Sequence, residues 1–178
     1  MDVMQEVLKQ KEYAVEMRRA FHRYPELSWN EVQTAKRIRE ELTKMGIPYE
    51  EVEGTGTITT LSGKNEGPLI GLRCDIDALP ITEIKDLPFR SENEGVMHAC
   101  GHDGHISMLL TAAKVLSEHR DELKGTVRFI FQPAEEHTDG AEKVLATGAV
   151  GELDTVAGMD IFPQLETGTT SVDPGPGY

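Results

Sequence analysis

The chain has 178 residues and carries 18 lysines and arginines against 31 aspartates and glutamates, a formal net charge of −13. A surface this acidic repels phosphate backbones and anionic headgroups, and no basic cluster reverses it locally, so neither nucleic acid nor a membrane surface is expected as a partner. No apolar run approaches the ~20 residues of a membrane span, the start Met1-Asp2-Val3-Met4-Gln5-Glu6 lacks the pattern of a secretory signal, and two cysteines, Cys74 and Cys100, make no disulfide framework; a soluble, cytoplasmic protein is expected.

Met4, Val7, Leu8, Val15 and Phe21 recur at helical spacing up to Tyr24-Pro25, which predicts one amphipathic helix over most of residues 3 to 22. Ser28-Trp29-Asn30-Glu31 has the spacing of a capping box, followed by Val32, Ala35, Ile38, Leu42 and Met45 on one face and a stop at Gly46. Residues 47–53 and 57–62 read as strands joined by Gly54-Thr55-Gly56, and a turn at 64–67 leads into an apolar run, 68–74, suited to a central strand. A helix is expected over 103–119, a strand over 126–131, a short helix over 139–147 and a strand over 155–160. Alternating strands and helices predict an α/β fold: a mostly parallel central sheet between helical layers. Residues 1–172 read as one domain, and 173–178, Asp-Pro-Gly-Pro-Gly-Tyr, as the start of a linker.

Three polar clusters carry chemistry. His98-Ala99-Cys100-Gly101-His102-Asp103-Gly104-His105 packs three imidazoles, a thiol and a carboxylate into eight positions. Imidazole and thiolate are ligands for zinc, cobalt, nickel or manganese-type ions; the alternative is a loop of hydrogen-bonded histidines with a free thiol. Gln132-Pro133-Ala134-Glu135-Glu136 follows the strand 126–131, where functional groups gather beyond the carboxyl end. In extended chain one glutamate could bind a metal while its neighbour faces a water; the alternative is a solvated acidic turn. In Arg73-Cys74-Asp75-Ile76-Asp77 the two aspartates share a face of extended chain, either to orient a histidine ligand or to cap the turn before Pro80.

The passages G-L-R-C-D-I-D-A-L-P-I (71–81), M-H-A-C-G-H-D-G-H (97–105) and F-Q-P-A-E-E (131–136), with F-H-R-Y-P-E-L-S (21–28), resemble the amidohydrolase branch of the M20 metallopeptidases. That branch includes hippurate hydrolases, N-acetyl-diaminopimelate deacetylases, aminoacylases and auxin-conjugate hydrolases. The resemblance implies a catalytic α/β domain with two divalent metal ions and a smaller inserted domain serving as lid and dimer contact. It implies Cys100, His102 and Glu136 as metal ligands, Glu135 as the general acid/base and Asp77 as a supporting catalytic aspartate. The implied reaction is hydrolysis of an N-acyl amino acid, a small-molecule partner, with a hydroxide held by the two ions attacking the acyl carbonyl.

Two features depart from the pattern. Gly158-Met159-Asp160-Ile161-Phe162-Pro163 holds Asp160 where the family has a histidine ligand, which would harden the site towards oxygen-loving ions. His137 follows the two glutamates in place of a glycine-rich stretch and reads as a loop residue. The sequence reaches Tyr178 about where the family chain enters its lid domain, so the lid and a late histidine ligand are expected to be absent from this chain. An unpaired sheet edge would then invite association with further copies. The competing reading is an inactive remnant or a metal-binding interaction subunit.

Overall fold

A computed structural model describes residues 2–172. The expected linker at 173–178 lies outside these. The elements in chain order are α1 (Val3–Lys9), α2 (Lys11–Arg23), α3 (Val32–Lys44), β1 (Tyr49–Val52), β2 (Gly56–Ser62), β3 (Asn65–Asp75), α4 (His102–Glu118), β4 (Lys124–Gln132), α5 (Gly140–Ala146) and β5 (Thr155–Gly158).

The five strands form one mixed sheet in the order β1-β2-β4-β3-β5. β3 lies parallel to both β4 and β5, β2 runs antiparallel to β4, and β1 antiparallel to β2. Only β2 therefore runs against the other strands, and β4, β3 and β5 end at the same edge of the sheet.

Side-chain alternation divides the core into two layers. Val127, Phe129 and Phe131 of β4 face a cluster with Met17 and Phe21 of α2, Ile38 and Leu42 of α3, and Ile106, Leu109, Leu110 and Ala113 of α4. Ile130, one step out of phase, faces the opposite side with Val52, Ile58, Val144 of α5 and Val150. Helices thus cover both faces, a three-layer arrangement. Each fully buried Phe or Leu contributes about 1.5–3 kcal/mol over an exposed one. All four β5 residues are exposed, and no helix among the described residues is long and apolar enough to cross a membrane.

Two expectations near the N-terminus need correction. The helix over 3–22 is two: it breaks at Gln10, whose amide turns back onto the Val7 carbonyl while its side chain donates to Glu118 of α4. α1 consequently buries none of its residues. Nor is Ser28 a helix cap. Helix α3 starts at Val32, and the amides of Gln33 and Thr34 donate instead to Glu26, 3.1 and 2.8 Å away. Ser28 is committed elsewhere.

Candidate metal centre

The common edge of β3, β4 and β5 brings the polar clusters together. Asp75 at the end of β3 lies opposite Gln132 at the end of β4, so the chain beyond each strand leaves side by side. Arg73 of β3 lies opposite Gly158, the last residue of β5, with Asp160 just beyond. Into this edge points the N-terminus of α4. Gly101, the residue before it, has φ 106°, a left-handed conformation that glycine adopts without strain.

Ligand atoms of Cys100, His102 and Glu136 lie within 4.8 Å of one another. Thiolate, imidazole and carboxylate at this separation suit a zinc- or cobalt-type ion. Glu136 Oε1 is buried with no hydrogen-bond partner, which is costly for a carboxylate oxygen unless a cation completes it. The donor set therefore fits a divalent ion. Glu135 Oε2 and Glu136 Oε1 stand 3.8 and 3.7 Å from His102 Nε2, with Glu135 the more exposed of the two.

Asp77 organises this group. Its Oδ1 accepts the Glu135 amide at 3.1 Å, and its Oδ2 accepts the Glu136 amide at 3.0 Å and the Ser28 hydroxyl at 2.6 Å. Its carbonyl accepts the Nδ1–H of His102 at 2.8 Å, which leaves Nε2 free to face the glutamates. Gathering two successive amides onto one carboxylate is incompatible with the extended chain expected at 135–136. The segment is a turn, entered through Ala134 at φ 52°, and both glutamates converge on one nitrogen instead of diverging.

A second group holds the edge towards β5. Asp75 Oδ1 accepts the Nδ1–H of His105 at 2.6 Å, while Arg73 donates to Asp75 Oδ2 at 2.9 Å. His105 Nε2 accepts the Ile161 amide at 2.9 Å. The Ile161 side chain sits where a Cβ on Gly104 would come within 2.3 Å of it. Asp75, His102 and His105 also have ligand atoms within 4.8 Å of one another, but both His105 nitrogens are occupied by these hydrogen bonds. Asp160, expected among the metal ligands, belongs to neither group. It is exposed, 3.6 Å from His105 Nε2. His137 is exposed and pairs with Asp139, as a loop residue does.

The charges describe a site built for a cation. Burial disfavours a charged His102, yet Asp77, Asp75 and Glu136 outweigh it and raise its pKa to about 9. Its Nε2 proton thus occupies the place of positive charge among the carboxylates. Burial, then Glu136 and Glu135, push the Cys100 thiol up to about 11. A bound cation would displace both protons. Burial raises Glu135, His102 opposes that, and Asp75 and Glu136 add to it.

Residues 71–176 match the sequence profile of peptidase family M20/M25/M40, more than half of the chain. The chain belongs to this family. It is 48% identical over 164 residues to the N-acetylcysteine deacetylase of Bacillus subtilis, covering 91% of this chain and 43% of that protein. To the IAA-amino acid hydrolase ILR1-like 4 of Arabidopsis thaliana it is 41% identical, covering 93% and 38%. A crystal structure of a Bacillus subtilis dinuclear metal-binding peptidase of the M20 family superposes with a TM-score of 0.89 at 47% identity, over 93% of this chain and 47% of that one. The chain thus spans less than half the length of these M20 relatives.

The roles of several polar residues around the centre were only partly readable from the sequence. His105 lies one helical turn from His102, so its face was readable, but its partnership with Ile161 was not. His98 is buried with neither ring nitrogen partnered, and burial lowers its pKa to about 4, which keeps it neutral. Glu31, fully buried, was read from the sequence only as the last residue of a capping box.

Proposed function

We propose that this chain forms the metal-binding catalytic core of an amidohydrolase that cleaves the amide bond of N-acyl amino acids in the cytoplasm. The observation that carries the reading is the convergence of Cys100, His102 and Glu136 on one point beside Glu135. Residues 1–172 would constitute the N-terminal part of the catalytic domain, with 173–178 leading into a linker. The mixed thiolate, imidazole and carboxylate set accommodates manganese, zinc, cobalt or nickel, and two such ions are proposed by analogy with the dinuclear M20 relative.

Cys100, His102 and Glu136 would hold a divalent ion, and Asp160 would add an oxygen donor from the β5 side. The ion supplies an acidified water and a Lewis acid for the acyl oxygen. Glu135 accepts the proton from the attacking water through its half-buried carboxylate, then returns it to the departing amine. A carboxyl pKa raised by burial makes Glu135 a better proton acceptor than an ordinary glutamate. Asp77 touches neither substrate nor ion; it fixes the tautomer of His102 and the direction of the 135–136 turn together.

Small N-acyl amino acids are the proposed substrates because the similar proteins are named as a deacetylase of N-acetylcysteine and a hydrolase of IAA-amino acids. The test is amine release by this chain from N-acetyl-L-cysteine and hippurate, with manganese, zinc, cobalt or nickel added in turn. Ion-dependent turnover is expected. Stoichiometric ion binding without turnover would favour a metal-binding subunit that does not hydrolyse, a reading to which the exposure of Asp160 lends support.

A further inference from the structure

Three residues of one loop reach the catalytic turn and the aspartate that holds it. Ser28 donates to Asp77 at 2.6 Å. The Trp29 indole N–H donates to Asp139 at 3.0 Å, at the far end of the turn. Glu31 Oε1 accepts the Ala134 amide at 2.9 Å. With the two amides held by Asp77, three successive backbone N–H groups, at 134, 135 and 136, end on two buried carboxylates.

Glu31 is an unusual buried acid. It is 0% exposed, and its other oxygen accepts the Thr55 hydroxyl at 2.8 Å. None of the ion pairs among the described residues involves it. Burial raises its pKa, while hydrogen bonds from its own amide, Thr55 and the amides of Ala134 and Trp29 lower it. Two of those donors, Ala134 at φ 52° and Trp29 at φ 64°, are non-glycine residues in the left-handed region. Such conformations persist only where surrounding contacts enforce them. A carboxylate surrounded by neutral donors, two of them strained, has the form of a clamp.

We propose that Glu31 is a positioning residue: its carboxylate holds Ala134 in the left-handed conformation that turns Glu135 and Glu136 towards His102. The proposal rests on the functional reading above in that Glu135 is the group so aimed. It touches neither substrate nor metal ion. If the Ala134 amide is released, the residue relaxes towards negative φ, and the direction of the two glutamates that follow is lost.

The test uses the metal-loaded chain with Glu31→Ala, Glu31→Gln, Ala134→Gly and the double variant Glu31→Ala/Ala134→Gly. Glycine occupies positive φ without steric cost, so it removes the need for a clamp. Glu31→Ala is expected to lower kcat by about ten- to a hundredfold with KM within about threefold, since the competent turn becomes a minor population. Gln, which keeps an acceptor for Ala134, should hold most of the activity. The double variant should recover kcat to within about fivefold of the Ala134→Gly variant alone. A role confined to stability would lower Tm in both Ala-containing variants with no rescue by glycine, and that outcome overturns the proposal.

Amide hydrogen exchange at Glu135 and Glu136 gives a readout independent of turnover. Protection should fall by about tenfold or more in Glu31→Ala and return in the double variant. Unchanged protection in Glu31→Ala overturns the clamp even if activity falls. An inactive wild-type chain with the expected exchange pattern would instead overturn the functional reading and uphold the clamp.

Discussion

His105 joins Asp75 to the backbone of Ile161: its Nδ1–H donates to the aspartate at 2.6 Å and its Nε2 accepts the Ile161 amide at 2.9 Å. An ionised Asp75 thereby sets the tautomer that lets His105 hold the segment beyond β5, where Asp160 resides. Burial raises the Asp75 pKa, but His105, His102 and Arg73 more than offset that and hold it below the ordinary carboxylate range.

Asp75→Asn should therefore destabilise the chain even without metal. A hydrogen bond between a buried histidine and a charged acceptor contributes about 1.5–3 kcal/mol, and for a chain of this size that lowers Tm by roughly 4–10 °C. Thermal unfolding followed by circular dichroism measures it. A shift below about 1 °C would show that Asp75 and His105 are not coupled as described.

Cys100→Ala removes a soft donor, and the remaining imidazole and carboxylate should bind zinc at least tenfold more weakly, since even outer hydrogen-bonding partners of ligands commonly contribute that much. Competition with a chromophoric chelator gives the affinity, and elemental analysis gives the stoichiometry. Equal affinity in variant and wild type would remove Cys100 from the ligand set.

Glu135→Gln should separate binding from chemistry. The amide cannot accept a proton, so hydrolysis should fall by about a hundred- to ten-thousandfold, while metal content stays at the wild-type level because Cys100, His102 and Glu136 are intact. Turnover within tenfold of wild type would assign the proton transfer to another group.

The pH dependence of metal binding follows from two protons. Without metal, His102 titrates at about 9 and Cys100 at about 11, so below pH 9 the entering ion must displace a proton from each. Apparent affinity should rise with pH, by close to two logarithmic units per pH unit below about 8 and by close to one between the two pKa values. Calorimetry in buffers of different ionisation enthalpy counts the released protons directly. A pH-independent affinity would place the ion elsewhere.

Most of the helical pattern and the clustering of candidate ligands were legible because their signals are local. The apolar period of α4 predicts 103–119 against an observed His102–Glu118, and Cys100, His102, Glu135 and Glu136 stand out within two short passages. What holds them was not legible. Ser28, Glu31 and Trp29 find their partners 49, 103 and 110 positions away, and no spacing rule spans such distances. A serine three residues before a glutamate satisfies the capping-box pattern whether or not a helix starts there, and at 28–31 tertiary hydrogen bonds claimed both side chains. At 135–136 the sequence left extended chain and an acidic turn both open, for a related reason. The residue that bends it, Ala134, carries no local turn signal, and its left-handed backbone depends on contacts from Glu31 and Asp77 that only the fold supplies.

His22 supplies the last test. It is buried between Asp103 at 2.8 Å and Glu83 at 3.1 Å, with Arg18 also on Asp103 and Phe89 edge-on to the ring. The bond to Asp103 outweighs burial and raises the His22 pKa above its ordinary 6.5. This contribution is full below pH 6.5 and fades as pH rises through the folded value. Asp103 and Glu83 are lowered against the effect of burial, chiefly by His22 for Asp103 and by the Ser91 amide and His22 for Glu83, so their contribution is full above pH 4.5 and lost as pH falls through their folded values. The network therefore stabilises most between pH 4.5 and 6.5. Replacing His22 with Leu leaves two buried carboxylates facing an apolar group and should cost about 3 kcal/mol at pH 6. The loss should shrink at pH 3, because carboxylates that no longer face His22 take up protons more readily than in the wild type. Urea unfolding at the two pH values measures the difference, and an equal loss at both would mean that His22 acts through packing against Phe89 rather than through charge.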